Sequence, residues 1–176
     1  MAPCGAPITK PNRHTMNTPN SSAARTELRR ATPTDVPALV AMGGRMHAES
    51  PRYSRYPYQP ERIRLALGLM LASPACIVLI AERDGAPAGF FGGMLSEHPF
   101  SGHFYAGDAA VYVAPEYRGG SILPRMLRAF ERWADDVGAE EVTLGVSTEV
   151  HTERTARLYS RFGYRLSGGI LAKELG

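Results

Sequence analysis

The sequence predicts a single α/β (α+β) domain in which strands and helices alternate around one sheet. Three observations lead there. The apolar spacing switches between the helical period and the strand period along the chain, giving the order β-α-α-β-β-β-α-β-α-β-β. No internal repeat of roughly 20 to 50 residues is present, which removes solenoids and propellers. The length of 176 residues, with 44% hydrophobic and 21% charged residues, suits one ordinary globular domain with its own core.

The elements follow in order. Residues 1–24 are rich in Pro, Asn, Ser, Thr and Ala, show no apolar period and read as a disordered arm ahead of a domain spanning 25–176. Thr26 to Ala31 is a short strand. Thr34 is expected to cap a helix whose first turn holds Asp35 and Pro37 and whose apolar face is Val36, Leu39, Val40 and Met46. A loop crowded with Tyr53, Tyr56, Tyr58, Arg52 and Arg55 leads to a second helix, Pro60 to Ala72, with Ile63, Leu67 and Met70 or Leu71 facing inward. Cys76 to Ala81 is a continuous apolar run, read as a buried strand with a buried thiol at its start. Asp84-Gly85 turns it into a hairpin with Ala88 to Leu95, where Gly89, Gly92 and Gly93 announce bulges or close approach. Asp108 to Val113 is the next strand. Ser121 to Val137 is a helix with Ile122, Met126, Phe130, Trp133 and Val137 on one face, ended by Gly138. Glu141 to Ser147 alternates as a strand, and Glu153 to Phe162 is a short helix stopped by Gly163. Tyr164 to Leu166 and Ile170 to Lys173 read as two closing strands around Gly168-Gly169.

Composition narrows the function classes. The two cysteines, Cys4 and Cys76, make no disulfide framework, and the five histidines show no zinc spacing, so no metal is expected. A reducing cytoplasmic location is the expectation. No apolar run reaches the roughly 18 to 20 residues that span a bilayer, and no apolar segment of signal-peptide type follows Lys10 and Arg13. The formal charge of +3 is concentrated in residues 1–30, which carry +4, leaving the body near neutral. That distribution does not favour a nucleic-acid partner, which calls for a basic face on the folded body.

The strongest motif is Val111-Tyr112-Val113-Ala114-Pro115 followed by Glu116-Tyr117-Arg118-Gly119-Gly120-Ser121. A strand runs into a glycine-containing turn and then into a helix N-terminus. Free backbone N–H groups and the helix dipole there suit a phosphate, and glycine lets the backbone approach it closely. An ordinary βα turn has the same local pattern.

The stretch from Asp108 to Phe162 resembles the acetyl-CoA-binding core of the GNAT superfamily of acyl-CoA-dependent N-acetyltransferases. That family's fourth strand ends in Val-x-Val-x-Pro, followed by Arg/Gln-x-x-Gly-x-Gly/Ala. Ala156, Leu158, Tyr159, Gly163 and Tyr164 fill its downstream Ala, Leu-Tyr and Gly-Phe places. Ser121, Leu123, Pro124 and Thr152 depart from the pattern. Arg118-Gly119-Gly120 is similar to the loop variant of phage-type members. Ser121 is read as an N-cap, with Pro124 in the first helical turn.

The resemblance implies a mixed, mostly antiparallel central sheet of about six to seven strands with helices on both faces, its fourth and fifth strands splayed by the cofactor. It implies acetyl-CoA as co-substrate and acetyl transfer to a primary amine by direct attack in a ternary complex. Cofactor contacts then fall to Val111, Tyr112 and Val113 through their main chain, to the turn Arg118, Gly119, Gly120, Ser121, Ile122 and Leu123, and to Thr152, where the family often has Asn.

An amine must lose its proton to attack a thioester, and the thiolate that leaves needs one. Tyr159 matches the family tyrosine that faces the sulfur. Asp108 is the favoured base and Glu97 the second choice; a solvated strand-end charge is the alternative for each. Substrate selection is assigned to Met46, Tyr53 and Tyr56 at the start of the Tyr/Arg loop, whose other reading is a surface packed on a partner subunit in a homodimer. The acceptor is an amine-bearing small molecule or a protein. A module that binds CoA or a protein partner without catalysis is the alternative function, motivated by Ser121 and Leu123.

Overall fold

The computed structural model of the chain describes residues 25–173. The arm expected over 1–24, with Cys4, lies outside them. Strand β1 (Thr26–Arg30) leads through a 3-10 turn, Pro33–Asp35, to α1 (Val36–Glu49) and α2 (Pro60–Ala72). Then come β2 (Cys76–Arg83), β3 (Ala86–Glu97), β4 (Phe104–Val113), a second 3-10 turn at Pro115–Tyr117, α3 (Ile122–Asp136), β5 (Glu141–Thr143) and α4 (Thr152–Ser160). Among the described residues the sheet has five strands in the order β1-β2-β3-β4-β5. All pairings are antiparallel except β4 with β5, which is parallel.

The apolar run in β2 explains the layering. Its side chains alternate between faces, so a strand buried on both sides is hydrophobic at every position. Ile77, Leu79 and Ala81 pack with Phe91, Met126, Leu127, Phe130 and Trp133 of the α3 layer. Val78 and Ile80 pack with Leu39, Met42, Phe90 and Tyr112 of the α1 layer. Phe91 and Phe130 meet with ring centroids 4.5 Å apart, and both are completely buried. Each such side chain contributes about 2–3 kcal/mol of burial energy.

Two glycines on β3 set these distances. A Cβ on Gly93 would lie 2.3 Å from the Phe130 ring, and one on Gly89 would lie 2.6 Å from the Tyr112 carbonyl oxygen. The pairing also slips between Gly92 and Gly93, which face Ala110 and Asp108, so Ala109 is an extra residue on β4. A bulge inverts the alternation beyond it. Ala106 belongs to the α3-side core before the bulge, and Val111 and Val113 belong to it afterwards, while Ala110 and Tyr112 turn to α1.

Several expectations change. Thr34 does not cap α1. Instead Thr32 opens the 3-10 turn, its N–H and Oγ1 both donating to Asp35 Oδ2 at 2.7 and 2.9 Å, and Asp35 stands at the N-cap. Arg29 donates to both Asp35 oxygens at 2.8 Å and to Glu82 at 2.6 Å, tying β1 to α1 and β2. Every residue of α2 keeps some exposure, and Ile63, expected inward, is exposed; only Leu67, Met70 and Leu71 reach the α1-side core. Cys76 is half-buried rather than buried because it sits at the strand's first position.

The strand expected over Glu141 to Ser147 pairs only through Thr143. The strands expected at Tyr164–Leu166 and Ile170–Lys173 are not formed: residues 164–173 carry no strand, and Leu166, Ile170 and Leu171 are exposed. Alternation over three or four residues is a weak strand signal without a partner edge. Among the described residues the sheet therefore has five strands rather than six or seven.

Candidate functional site

β4 pairs with β3 along its whole length, from Phe104 opposite Glu97 to Val113 opposite Gly89. Its other edge meets β5 only over Tyr105–Gly107. From Asp108 onward the two strands separate. The residue that ends the ladder is Asp108 itself: its Oδ1 accepts the Gly145 N–H at 2.6 Å, so a side chain takes a donor from the segment leaving β5. Past this point one backbone edge of β4, Ala109 to Val113, has no strand beside it. At about 3.3 Å per residue that edge is roughly 15 Å long.

A cleft of about 570 Å³ opens along it. One wall is β4 from Asp108 to Val113, and one end is the turn Tyr117 to Gly120 with Leu123 and Pro124 of α3. The opposite wall is 145–148 and the inner face of α4, and Met46, Glu49 and Tyr53 close the α1 side. The turn holds Gly119 at φ +84°, a conformation costly to any residue with a Cβ. The first N–H groups of α3 beyond it have no intrahelical acceptors. Ser121 stands at the N-cap, but its hydroxyl makes no capping bond.

Tyr159 is 6% exposed and lines the cleft. Burial, and to a lesser extent the nearby Asp108 charge, push its hydroxyl well above the usual tyrosine range, so it stays a neutral phenol. Burial raises Asp108 too, against the lowering effect of the Gly145 N–H. A carboxylate shifted toward neutrality is a stronger base than an exposed one. Tyr112 lines the cleft and its hydroxyl donates to Glu49 Oε1 at 2.8 Å; its pKa is pushed up to about 12, first by burial and then by that carboxylate.

The structure brings Asp108, Val111, Tyr112, Val113, Arg118, Gly119, Gly120, Leu123, Tyr159, Met46 and Tyr53 to this one cleft. Five candidates stand outside its lining. Ile122 is buried in the α3 core, because the apolar stripe of α3 points it at the sheet. Ser121 and Thr152 are exposed, Thr152 as the first residue of α4. Tyr56 is 68% exposed on the loop. Glu97, the second choice for a base, pairs at the far end of β4 with Phe104.

Glu49 and Ser50 were missed by sequence reasoning. Glu49 holds Tyr112 and also accepts from Arg118, whose Nε donates to the Val113 carbonyl at 2.8 Å. Ser50 is fully buried; its Oγ donates to the Thr148 carbonyl at 2.7 Å and accepts the Tyr53 N–H at 3.1 Å. Tyr53 Oη and Ser147 Oγ lie 2.9 Å apart, so the loop after α1 is pinned to the far wall. Glu149 and His151 have positive φ, 61° and 50°, where the wall bends into α4. The contacts of Glu49 with Tyr112 and Arg118, of Ser50 with Thr148 and of Tyr53 with Ser147 leave no local pattern, since the partners are more than 60 residues apart.

Neighbouring strands thus part beside a glycine turn and a helix N-terminus, with Asp108 and Tyr159 lining the cleft between them. The sequence model of the acetyltransferase (GNAT) family matches residues 44–164, and the chain belongs to that family. Its fold is similar to that of a transcriptional regulator from Bacillus halodurans C-125 (17% identity, TM-score 0.71, covering 86% of this chain and 100% of that one). The fold is also similar to AAC(6')-Iy in complex with a CoA-S-monomethyl-acetylneamine bisubstrate analogue (17%, 0.68, 86% and 99%). A third similar structure is a predicted acetyltransferase with acetyl-CoA from Clostridium acetobutylicum (17%, 0.70, 85% and 96%). No curated protein sequence matches the chain. Among the described residues no helix is long and apolar enough to cross a membrane.

Proposed function

We propose that the chain is an N-acetyltransferase that moves an acetyl group from acetyl-CoA to a primary amine by direct attack in a ternary complex. The observation that carries this reading is the unpaired β4 edge from Ala109 to Val113 inside the cleft. The amides of a pantetheine arm pair with such an edge as an added strand would. A β4 N–H then polarises the acetyl carbonyl. The turn Arg118-Gly119-Gly120 and the start of α3 receive the pyrophosphate. Two of the similar structures hold acetyl-CoA or a CoA-linked bisubstrate analogue.

Asp108 takes the proton from the ammonium form of the acceptor. The amine nitrogen attacks the thioester carbon, the N–C bond forms, the C–S bond breaks, and the nitrogen sheds its second proton to solvent. Tyr159 gives its proton to the departing thiolate and is reprotonated from solvent, while Asp108 returns its proton to solvent. Met46 and Tyr53 line the acceptor side. Tyr53 keeps its place through Ser147, so the loop after α1 shapes the acceptor pocket.

Purified protein given acetyl-CoA and a panel of amines, among them polyamines, amino sugars, amino acids and peptide N-termini, should release free CoA thiol with at least one acceptor. Calorimetric binding of acetyl-CoA with no thiol release across such a panel would reduce the protein to a CoA-binding module. Absence of both would remove the cofactor assignment.

A further inference from the structure

Helix α4 turns Arg154, Arg157, Leu158 and Arg161 toward the cleft. Their spacing of three, four and seven residues puts them on one helical face. The guanidinium of Arg154 reaches across the mouth: its Nη2 lies 3.8 Å from where a Cβ on Gly119 would stand. Two of the other cleft cations are engaged, and Arg161 lies seven residues, about two helical turns, beyond Arg154. Arg118 is held by Glu49 and the Val113 carbonyl, and Arg157 pairs loosely with Glu153 at 3.4 Å. Arg154 has no hydrogen bond or ion pair with any described residue.

An unpaired guanidinium over a positive-φ glycine, next to the positive end of α3, brings like signs together. That arrangement repels in the free protein and becomes favourable only when an anion lies between the two. The same turn carries Leu123 where the family places a small residue. Its backbone therefore lets a phosphate approach less closely than a fully glycine-lined loop does, and a side-chain cation makes up the difference.

We propose that Arg154 is a phosphate-binding residue for the acyl-CoA co-substrate, closing over the Gly119-Gly120 turn from α4 so that the anion is held between helix and turn. This rests on the acetyl-CoA reading above. Two sources share the chemistry, the pyrophosphate bridge and the 3′-phosphate of the nucleotide, and ligand truncation separates them.

The test is calorimetric binding of acetyl-CoA, acetyl-3′-dephospho-CoA and S-acetyl-pantetheine to the wild-type chain, Arg154→Ala and Arg154→Lys, with steady-state kinetics in parallel. Arg154→Ala should weaken acetyl-CoA by about tenfold or more, the usual scale for a hydrogen bond to a charged group. It should raise KM for acetyl-CoA with kcat held and leave S-acetyl-pantetheine unaffected. Arg154→Lys should fall between, keeping charge but losing the planar fork. A deficit that vanishes with the 3′-dephospho ligand places Arg154 on the 3′-phosphate, and one that persists places it on the pyrophosphate. Melting of the ligand-free variant should match or exceed wild type. Unchanged acetyl-CoA affinity in Arg154→Ala, or an equal loss for the phosphate-free ligand, overturns the proposal. Failure of the wild type to bind acetyl-CoA overturns the cofactor reading itself.

Discussion

Replacing Asp108 separates two roles that its carboxylate holds at once. Oδ1 accepts the Gly145 N–H at 2.6 Å and so ends the β4–β5 ladder, while the group as a whole is the candidate base. Asp108→Asn keeps an acceptor oxygen and removes the base. Asp108→Ala removes both. Turnover should therefore fall by about 10²-fold or more in each variant, the usual contribution of a positioned base. Stability should separate them. Ala leaves the Gly145 N–H without its acceptor, a cost of about 1–2 kcal/mol because Gly145 is open to solvent. Asn should cost nothing at low pH. Burial raises the folded pKa of Asp108, so its contribution is fully present below the unfolded carboxylate value and is lost as pH rises through the folded one. Each unit of that shift is about 1.4 kcal/mol. Asp108→Asn should thus equal wild type near pH 4 and surpass it above the raised pKa. Urea unfolding at several pH values, with the pH–rate profile of thiol release, measures both. Wild-type turnover in Asp108→Asn would refute the base, and an Asn variant as unstable as Ala at every pH would refute the strand-parting role.

Three further outcomes are expected. Tyr159→Phe should lower turnover by about 10²-fold while acetyl-CoA affinity holds, and the deficit should shrink with an acyl donor whose leaving thiol is more acidic; an equal deficit with both donors returns Tyr159 to packing alone. Acetyl-CoA at 100-fold above its dissociation constant should add about 2.7 kcal/mol of stability, and a flat melting temperature at millimolar ligand would contradict the cofactor assignment. Arg29 holds Asp35 far below the usual carboxylate range, and the Asp35 side chain is only 10% exposed. Asp35→Asn should therefore cost about 2 kcal/mol at pH 7, discounted because Arg29 is partly exposed, and the difference should fade as pH drops below the ordinary carboxylate pKa.

What the sequence revealed depended on how local the cause was. The β2 run, the Asp84-Gly85 hairpin, the amphipathic α3 and the Gly138 and Gly163 stops each rest on neighbours a few residues apart, and all of these stand in the fold. The motif from Val111 to Gly120 was legible because the proposed cofactor binding uses main chain, glycine and a helix start, which spacing alone can signal. The closing strands were over-read, since Tyr164–Leu166 and Ile170–Lys173 alternate but find no edge to pair with. Glu49 and Ser50 were invisible because each earns its place from partners on other elements.

The cleft follows from a conflict between register and chemistry at one point of β4. The extra residue Ala109 inverts the side-chain alternation, so Asp108 and Val111 both point toward the α3 and α4 side while Tyr112 points to α1. Without the bulge, Tyr112 would exchange faces with its neighbours, and Glu49, which accepts from both Tyr112 and Arg118, would lose the tyrosine hydroxyl. With it, a carboxylate arrives where the next β5 residue would have paired, takes the Gly145 N–H and forces the strands apart. One insertion thus places an acid where a base is useful, frees the backbone edge that a pantetheine arm can use, and leaves the Gly119 turn at the far end of that edge. The separation of charge along the cleft follows. Asp108 stands where the strands part, and Arg154, without an ion pair among the described residues, stands over the turn beyond Val113. An asymmetric ligand with an anionic end and an acyl end has only one favourable orientation in such a site, phosphates to the turn and acyl group to Asp108 and Tyr159. Reversal would set phosphate against a carboxylate in a half-buried cleft, where like charges are poorly screened.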